Sequence, residues 1–284
     1  MAAALAAVVS FAACGSANAS TNASGNGDQK TVRVATRGDN AKIWSAVAKE
    51  LAKKGEKLEF KEYDSSANLN DMVLSGDADI NAAQHYAALD YFHSKDKKYE
   101  ELTDLGQLRI STIDLYSKKY KSVDDIPDGA TIAVPNDPMN FGRSLDILAK
   151  NNVIKLGDFQ SFPAEKDITD NPKHLKFKQI SENMMIQILD DVDAGFIYAI
   201  DAVNGGLSPQ KDALIQDKID LKNNKVQHQF VVVLTIRKED KDKQIYKDVL
   251  EAYHSPAVYK VIKDVFKGAV YPVQDDEPID LSKY

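Results

Sequence analysis

The chain has 284 residues, of which 43% are hydrophobic and 28% are charged, and its formal net charge is −7. That charge argues against a nucleic-acid partner, because proteins that bind phosphate backbones cluster Lys and Arg on one surface. The only cysteine of the chain cannot form an internal disulfide bond, and the length is enough for two lobes with separate cores.

The N-terminal segment Met1–Ala13 is made almost entirely of small apolar residues, and Cys14 follows it. A run of this length fits the hydrophobic region of a signal peptide and is too short to span a membrane. The small residues before Cys14 and Gly15 after it resemble a bacterial lipobox, in which the cysteine carries the lipid. Residues 14–29 are rich in Ser, Asn, Ala and Gly, which predicts a flexible tether. The alternative is an apolar N-terminus with an incidental cysteine, since no basic segment precedes the apolar run.

Beyond the tether, strand patterns alternate with helix patterns. For a first lobe we predict strands at Thr31–Ala35, Leu58–Tyr63 and Ala78–Ala83. Helices are predicted from apolar residues three or four positions apart, namely Ile43, Val47 and Leu51, then Leu69, Met72 and Val73, then Leu89 and Phe92. The first two strands and the helix between them form a βαβ unit, which implies parallel pairing. A further strand, Ile110–Tyr116, is expected to carry the chain to a second lobe.

The second lobe repeats the alternation. Its strands are predicted at Thr131–Val134, Lys176–Ile180 and Ala194–Ala199, and the polar connection Lys121–Gly129 is expected to contain a helical turn. The apolar run Phe230–Ile236 is interpreted as the return to the first lobe, and the C-terminal part is predicted to be helical. The sequence therefore predicts an α/β protein of two lobes with a cleft between them.

One arginine stands out in the second lobe. The helical pattern after Asn140 places Arg143 in the first turn of a helix that follows a strand and a proline-rich loop. A helix N-terminus favours negative charge, and a guanidinium there offers a bidentate partner for a carboxylate. The local pattern leaves two interpretations open: a carboxylate-binding site, or a surface ion pair of Arg143 with Asp137 or Asp146.

No catalytic or metal-binding motif accompanies this arginine. The five histidines are not arranged as H-E-x-x-H or clustered with the cysteine, and no calcium-binding loop is present. Neither a G-x-S-x-G turn nor a Walker glycine loop occurs. We therefore expect a capture protein that is not an enzyme and that needs no metal and no cofactor.

Six segments, in order along the chain, resemble a known family: Leu115–Lys119, Ile126–Pro138, Asn140–Arg143, Asn171–Lys178, Leu189–Ala194 and Phe266–Val270. With them the chain resembles the MetQ/NlpA-type methionine-binding lipoproteins, the substrate-binding proteins of bacterial ABC importers. The resemblance runs from about Val32 to Pro272. It implies a periplasmic-binding-protein-like fold that closes on a free amino acid, a lipid such as palmitate on Cys14, and transfer of the ligand to a membrane permease.

The resemblance also implies the ligand-binding residues, which we predict to be Arg143, His85, Gln84, Tyr198, Asp201, Asn140, Tyr86 and Asn40. Arg143 matches the family arginine that holds the ligand carboxylate, and Gln84 and His85 match the end of a family strand. Near Tyr198 the family usually has asparagines that bind the backbone of the ligand. Here Tyr198 and Asp201 are the polar candidates, and Asp201 is placed to meet a ligand ammonium.

Aromatic residues that enclose the methionine side chain in the family are replaced here by Ala82, Ala83, Ala88 and Ser66. At roughly 150–250 Å² of contact for each aromatic ring, these changes remove much of one wall. We therefore expect a zwitterionic ligand that is not primarily methionine, such as a larger amino-acid derivative or a short peptide. Tyr198, Tyr86 and Trp44 are possible replacement contacts, although core packing is the favoured interpretation of Trp44.

These observations together predict an extracytoplasmic, lipid-anchored substrate-binding protein that captures methionine or a related amino acid, derivative or short peptide. Its expected partners are that ligand, an ABC permease and ATPase, and the membrane through the lipid. The alternative is a surface interaction protein of the same fold that has lost transport. The predicted organisation is a signal peptide at 1–13, a tether at 14–29, a first lobe at 30–113 and 230–284, and a second lobe at 114–229.

Overall fold

The computed structural model describes residues 31–37, 40–64 and 66–284. Its strands are β1 Thr31–Arg37, β2 Lys57–Tyr63, β3 Ile80–Asn81, β4 Leu102–Ser111, β5 Ile113–Tyr116, β6 Thr131–Pro135, β7 Lys155–Leu156, β8 Ile168–Asp170, β9 Lys176–Ile180, β10 Ala194–Tyr198, β11 Ala213–Ile215, β12 Val232–Arg237, β13 Val270–Gln274 and β14 Glu277–Pro278. Its α-helices are α1 Ala41–Ala52, α2 Leu69–Ser75, α3 Tyr86–Lys95, α4 Pro138–Lys150, α5 Met185–Ile188, α6 Ala199–Asn204, α7 Pro209–Asp212, α8 Lys225–His228, α9 Gln244–Tyr253 and α10 Pro256–Phe266. None of the helices in these ranges is long and apolar enough to cross a membrane. Cys14, the predicted leader and the predicted tether lie outside the described residues.

The first sheet has the strand order β14–β13–β4–β12–β3–β1–β2. Strand β1 pairs in parallel with β2 and β3, which confirms the predicted βαβ unit, and β12 runs antiparallel to β3 and β4. Helix α1 buries the stripe of Ile43, Trp44, Val47 and Leu51 against this sheet and against α9 and α10. Trp44 is fully buried in this core, so it packs as a core residue and is not a cleft contact.

The second sheet has the order β11–β5–β10–β6–β9. Strand β6 lies parallel to β9 and β10, and β5 runs antiparallel to β10. Helix α4 packs on β6 and buries Leu145 and Leu148 in a second apolar core, separate from the first. Two α/β lobes with separate cores result, as the alternating pattern predicts. The residue boundaries of the lobes stay a prediction.

The chain crosses between the lobes at Thr112. The prediction of one strand over Ile110–Tyr116 is wrong, because β4 ends at Ser111 in the first sheet and β5 begins at Ile113 in the second. The backbone of Thr112 pairs outside both ladders: its N–H donates to the Ala269 carbonyl at 3.1 Å, and its carbonyl accepts from the Ala199 N–H at 2.9 Å. The crossover is therefore held at a bend between the lobes.

The predicted turn in the connection Lys121–Gly129 is present, since the Ile126 N–H donates to the Val123 carbonyl at 3.2 Å. The predicted C-terminal helices are present as α9 and α10, but strands β13 and β14, which were not predicted, follow them and extend the first sheet at one edge. These strands are short and β13 contains Pro272, which lacks a backbone donor and hides the strand pattern in the sequence.

Candidate functional site

A cavity of about 590 Å³ opens between the two lobes. The first lobe lines it with the ends of β1 and β3, with α3 and with the end of β4. The second lobe lines it with the loop before α4, the first turns of α4, the segment before α5 and the start of α6. Clefts of this size between lobes are common small-molecule sites, and both lobes face the same space.

Helix α4 begins at the edge of the cleft with Pro138 at its first position. The side chain of Asp137 accepts a hydrogen bond from the Asn140 backbone N–H at 2.9 Å and caps the helix. Proline suits this position because its fixed φ is preorganised for the helix. The helix therefore starts three residues before the predicted point, and Arg143 lies in its second turn. The first-turn placement of Arg143 is wrong.

Arg143 is buried at the floor of the cleft. Its Nε and Nη2 donate to Oδ2 of Asp217 at 3.1 and 2.5 Å, and Nη2 also donates to the Ser111 carbonyl at 2.8 Å. The guanidinium carbon lies 4.8 Å from the centre of the Phe230 ring. The surface pair with Asp137 or Asp146 is therefore wrong. Within the described residues Nη1 has no hydrogen bond, so one edge of the guanidinium is left for a ligand.

Asp217 is itself held by a buried network. Its Oδ1 accepts from Nε2 of Gln227 at 2.8 Å, and its backbone N–H donates to Oδ1 of Asp114 at 2.8 Å. Burial raises the pKa of Asp114 to about 6, against the hydrogen bonds that Asp114 accepts from Asp217 and Thr112. The network lies next to the crossover and fixes Arg143 against the bend between the lobes.

His85 lies beside the same guanidinium. Its Nδ1 accepts the Ala88 backbone N–H at 3.1 Å and caps α3, so the neutral ring carries its proton on Nε2. Burial, and then the charge of Arg143, lower the pKa of His85 to about 3. The edge of the ring meets Phe230 with centroids 5.0 Å apart. His85 is therefore a neutral side chain with an Nε2–H donor in the wall of the cleft.

The Gln84 amide forms two hydrogen bonds inside the protein. Its Oε1 accepts from Asn70 at 2.8 Å, and its Nε2 donates to the Thr235 hydroxyl at 3.0 Å. Asn81 extends this chain by donating to Asn70 at 2.9 Å. Gln84 lines the cleft, and these hydrogen bonds of its amide tie β3, α2 and β12 together.

The opposite wall carries polar groups from the second lobe. The hydroxyl of Tyr198 is buried beside the carboxyl group of Glu182, and burial raises the pKa of Tyr198. Burial raises the pKa of Glu182, which lines the cleft beside Tyr198. Asp201, at the start of α6, lines the cleft as well. This wall can accept the hydrogen bonds of a ligand ammonium.

The apolar surface of the cleft differs from the expectation. Ala82 is fully buried in the core of the first lobe, so its size does not open the cleft. Ala83, Ala88 and Ser66 do line the cavity. Other apolar side chains, which the sequence did not suggest, line it with them: Tyr91, Phe92, Met139 and Phe230. Part of the lost wall is therefore replaced by α3 and by the segment before β12.

The structure brings most of the predicted ligand-binding residues together. Those that line the cavity are Arg143, His85, Gln84, Tyr198, Asp201, Asn140 and Asn40. Tyr86 lies outside it and stacks on His228, with ring centroids 5.5 Å apart. In the described ranges no group of three or more His, Cys, Asp or Glu side chains is arranged to hold a metal ion. The role of the lining residues in binding stays a prediction.

Sequence reasoning missed two other arginines in the cleft, Arg37 at the end of β1 and Arg109 near the end of β4. A signal for Arg109 exists in the sequence, because a cation stands between the apolar residues Leu108 and Ile110. Asp217 carries no such signal. It lies 74 residues from Arg143 in a stretch without a regular pattern.

Comparison with known sequences identifies one family. A family model described as NlpA lipoprotein matches residues 32–274. The chain is 34% identical to the probable D-methionine-binding lipoprotein MetQ of Pasteurella multocida, with 84% of each chain covered. It is 36% identical to the D-methionine-binding lipoprotein MetQ of Salmonella typhi, covering 80% of this chain and 81% of that protein.

Comparison with solved structures gives the same fold. A nutrient binding protein from Burkholderia cenocepacia, solved bound to methionine, superposes with a TM-score of 0.75 at 32% sequence identity. The superposition covers 85% of this chain and 99% of the other. The two-lobe α/β fold predicted from the sequence is therefore confirmed.

Proposed function

Because this chain belongs to the NlpA lipoprotein family, we propose that it is an extracytoplasmic substrate-binding protein of an ABC importer. Its ligand is an amino acid, an amino-acid derivative or a short peptide. The observation that carries the proposal is the buried Arg143 at the floor of a cleft that both lobes line. The relatives are named D-methionine-binding lipoproteins, which supports a small zwitterionic ligand.

The carboxylate of the ligand binds at Arg143. Asp217 and the Ser111 carbonyl hold the Nε and Nη2 side of the guanidinium, so Nη1 faces the ligand in a fixed orientation. The Nε2–H of neutral His85 adds a second donor nearby. Charge-assisted hydrogen bonds from a preorganised arginine are stronger than neutral ones and lose little side-chain entropy on binding.

The ammonium of the ligand binds on the opposite wall. Glu182 and Asp201 supply negative charge there, and the Tyr198 hydroxyl lies beside Glu182 as a further oxygen acceptor. Arg143 and this wall both belong to the second lobe, whereas His85 belongs to the first. A ligand that is held by Arg143 and also accepts from His85 contacts both lobes only when they are close together. Ligand binding therefore favours the closed arrangement, since it adds contacts that the open one lacks.

The lipid anchor is carried by Cys14 in this proposal. Acyl chains on that cysteine hold the protein at the outer face of the cytoplasmic membrane, next to the permease and ATPase. Metabolic labelling with palmitate should mark the wild-type protein, and Cys14→Ser should lose the label and leave the membrane fraction. A label that persists in Cys14→Ser would show that the anchor is elsewhere.

The binding proposal is tested by thermal unfolding of purified protein with a panel of amino acids and dipeptides. At least one ligand should raise the Tm of the wild type, and Arg143→Lys should lose most of that shift, because lysine cannot keep the fork geometry. Arg33→Gln is the control, since Arg33 pairs with Asp79 at a half-exposed site away from the cleft. Shifts that survive in Arg143→Lys would contradict the clamp. A wild type that responds to no ligand would favour a surface interaction protein instead.

A further inference from the structure

We propose that the ligand carries a second acidic group, and that Arg109 binds it inside the cleft. This inference rests on the proposed function and narrows its ligand class from zwitterionic amino acids to amino acids or short peptides with an additional anion. The relevant feature is a second buried arginine in the same cavity as Arg143, without the counter-ion that Arg143 has.

Arg109 is only 4% exposed and lines the cleft. Its Nε and Nη1 are buried and have no hydrogen-bond partner among the described residues, and no described carboxylate forms an ion pair with it. Removing a guanidinium from water without a partner is costly, because both its charge and its donors lose hydration. Arg143 in the same cavity avoids this cost through Asp217.

The described residues around Arg109 supply no counter-ion for its guanidinium. Its neighbours along β4, Leu108 and Ile110, are fully buried in the cores. The phenol of Tyr253 lies near Arg109: burial raises its pKa, and the guanidinium opposes that effect. Tyr253 is fully buried and does not line the cleft, and a neutral phenol supplies no counter-charge. Arg109 therefore keeps its charge and its buried donors for an oxyanion in the cleft.

The strand geometry places this site close to the Arg143 clamp. Arg109 and Ser111 are two residues apart on β4, so both side chains point to the same face, and both residues line the cleft. Arg143 donates to the Ser111 carbonyl. Two residues of strand span about 7 Å between their Cα atoms, so the backbone of Arg109 lies close to the carbonyl that holds Arg143.

The other charges of the cleft are consistent with a second anion. Asp137 is occupied by the backbone and side chain of Asn140, and Glu182 and Asp201 lie on the second lobe's wall. Arg37 lines the cavity on the first lobe, and its buried Nε has no partner in the described part of the chain. The first lobe's side of the cleft is therefore cationic, and the ammonium wall faces it.

The test compares ligands that differ only in the second charge, using protein that has been unfolded in guanidinium and refolded to remove bound ligand. L-Glutamate and L-glutamine have nearly the same shape, and L-2-aminoadipate extends the acid by one methylene group. We expect an acidic ligand to bind the wild type at least ~10-fold more tightly than glutamine. Arg109→Gln should remove this preference while glutamine binding stays within ~3-fold, and Arg33→Gln should keep it.

A stability measurement on the ligand-free protein separates binding from a structural role. Since Arg109 has no counter-ion among the described residues, Arg109→Gln should leave the Tm of ligand-free protein unchanged or raise it by about 2–4 °C. A lower Tm would show that Arg109 stabilises the fold and would overturn the proposal. Equal binding of glutamate and glutamine, or equal stabilisation by sulfate alone, would also overturn it. Those results leave the importer proposal intact, whereas a wild type that binds no amino acid or peptide would contradict both.

Discussion

At the scale of single residues, the proposed carboxylate clamp depends on a partner of Arg143 that is distant in the sequence. The resemblance predicted Arg143, and the local pattern suggested either Asp137 or Asp146 as its ion-pair partner. Both of those carboxylates interact with other groups: Asp137 caps α4, and Asp146 forms an ion pair with Lys150 at 2.5 Å. Asp217 is the ion-pair partner of Arg143 instead. Strand β11 ends beside β5, and this pairing brings Asp217 next to Asp114. Hydrophobic periodicity along the sequence cannot identify a contact between residues so far apart.

Asp114 gives a pH-dependent prediction at the same scale. Its pKa in the folded protein is about 6, above the ordinary value, because it is buried. A carboxyl group with a raised folded pKa favours the native state most at low pH, and this contribution is lost as pH rises from about 4 to about 6. Asp114→Asn removes the effect and keeps the shape of the side chain.

The free energy of unfolding of Asp114→Asn relative to wild type should therefore increase by about 2–3 kcal/mol between pH 4 and pH 7.5. Urea unfolding at four pH values in that range measures it. Taking the difference between the two proteins cancels the groups that they share. A difference that stays constant with pH would contradict the raised pKa of Asp114.

At the scale of elements, helices and strands with strong hydrophobic periodicity could be predicted. Those with a weak or irregular pattern could not. Helix α1 follows from its stripe of Ile43, Val47 and Leu51, and β1 and β2 follow from alternation. The start of α4 was placed three residues late, because the prolines were interpreted as loop residues although Pro138 is the first residue of the helix. Strand β4 was predicted only in its last residues, since Gly106 and Gln107 interrupt its apolar pattern.

The cap of α4 can be tested against a matched cap elsewhere. Asp137→Ala removes the acceptor for the Asn140 N–H, and Ser255→Ala removes the equivalent acceptor for the Val258 N–H at the start of α10. Each change should lower the free energy of unfolding by about 1 kcal/mol. Because α4 positions Arg143 and α10 lies away from the cleft, only Asp137→Ala should also weaken ligand binding, by roughly 3-fold or more. Equal binding by the two variants would show that the cap does not position the clamp.

At the scale of the whole molecule, the two-lobe architecture could be predicted, and the inner surface of the cleft could be predicted only in part. Strand and helix patterns are local, so they indicate the lobes and the return of the chain at β12. The cleft surface is assembled from segments far apart in sequence. For this reason Ala82, which seemed to open a wall, is buried in a core, and Tyr91 and Phe92 restore apolar surface that the alanines remove.

The central claim is that the cleft holds a small zwitterionic ligand through Arg143, and native mass spectrometry of the protein as purified from membranes tests it most directly. The account predicts that wild type and Arg33→Gln carry one additional mass in the range of an amino acid or short peptide. Arg143→Lys should carry much less of it, and mild unfolding should release it from all three proteins. The same bound mass in Arg143→Lys at undiminished occupancy, or a wild type that neither retains nor takes up any such ligand, would contradict the account.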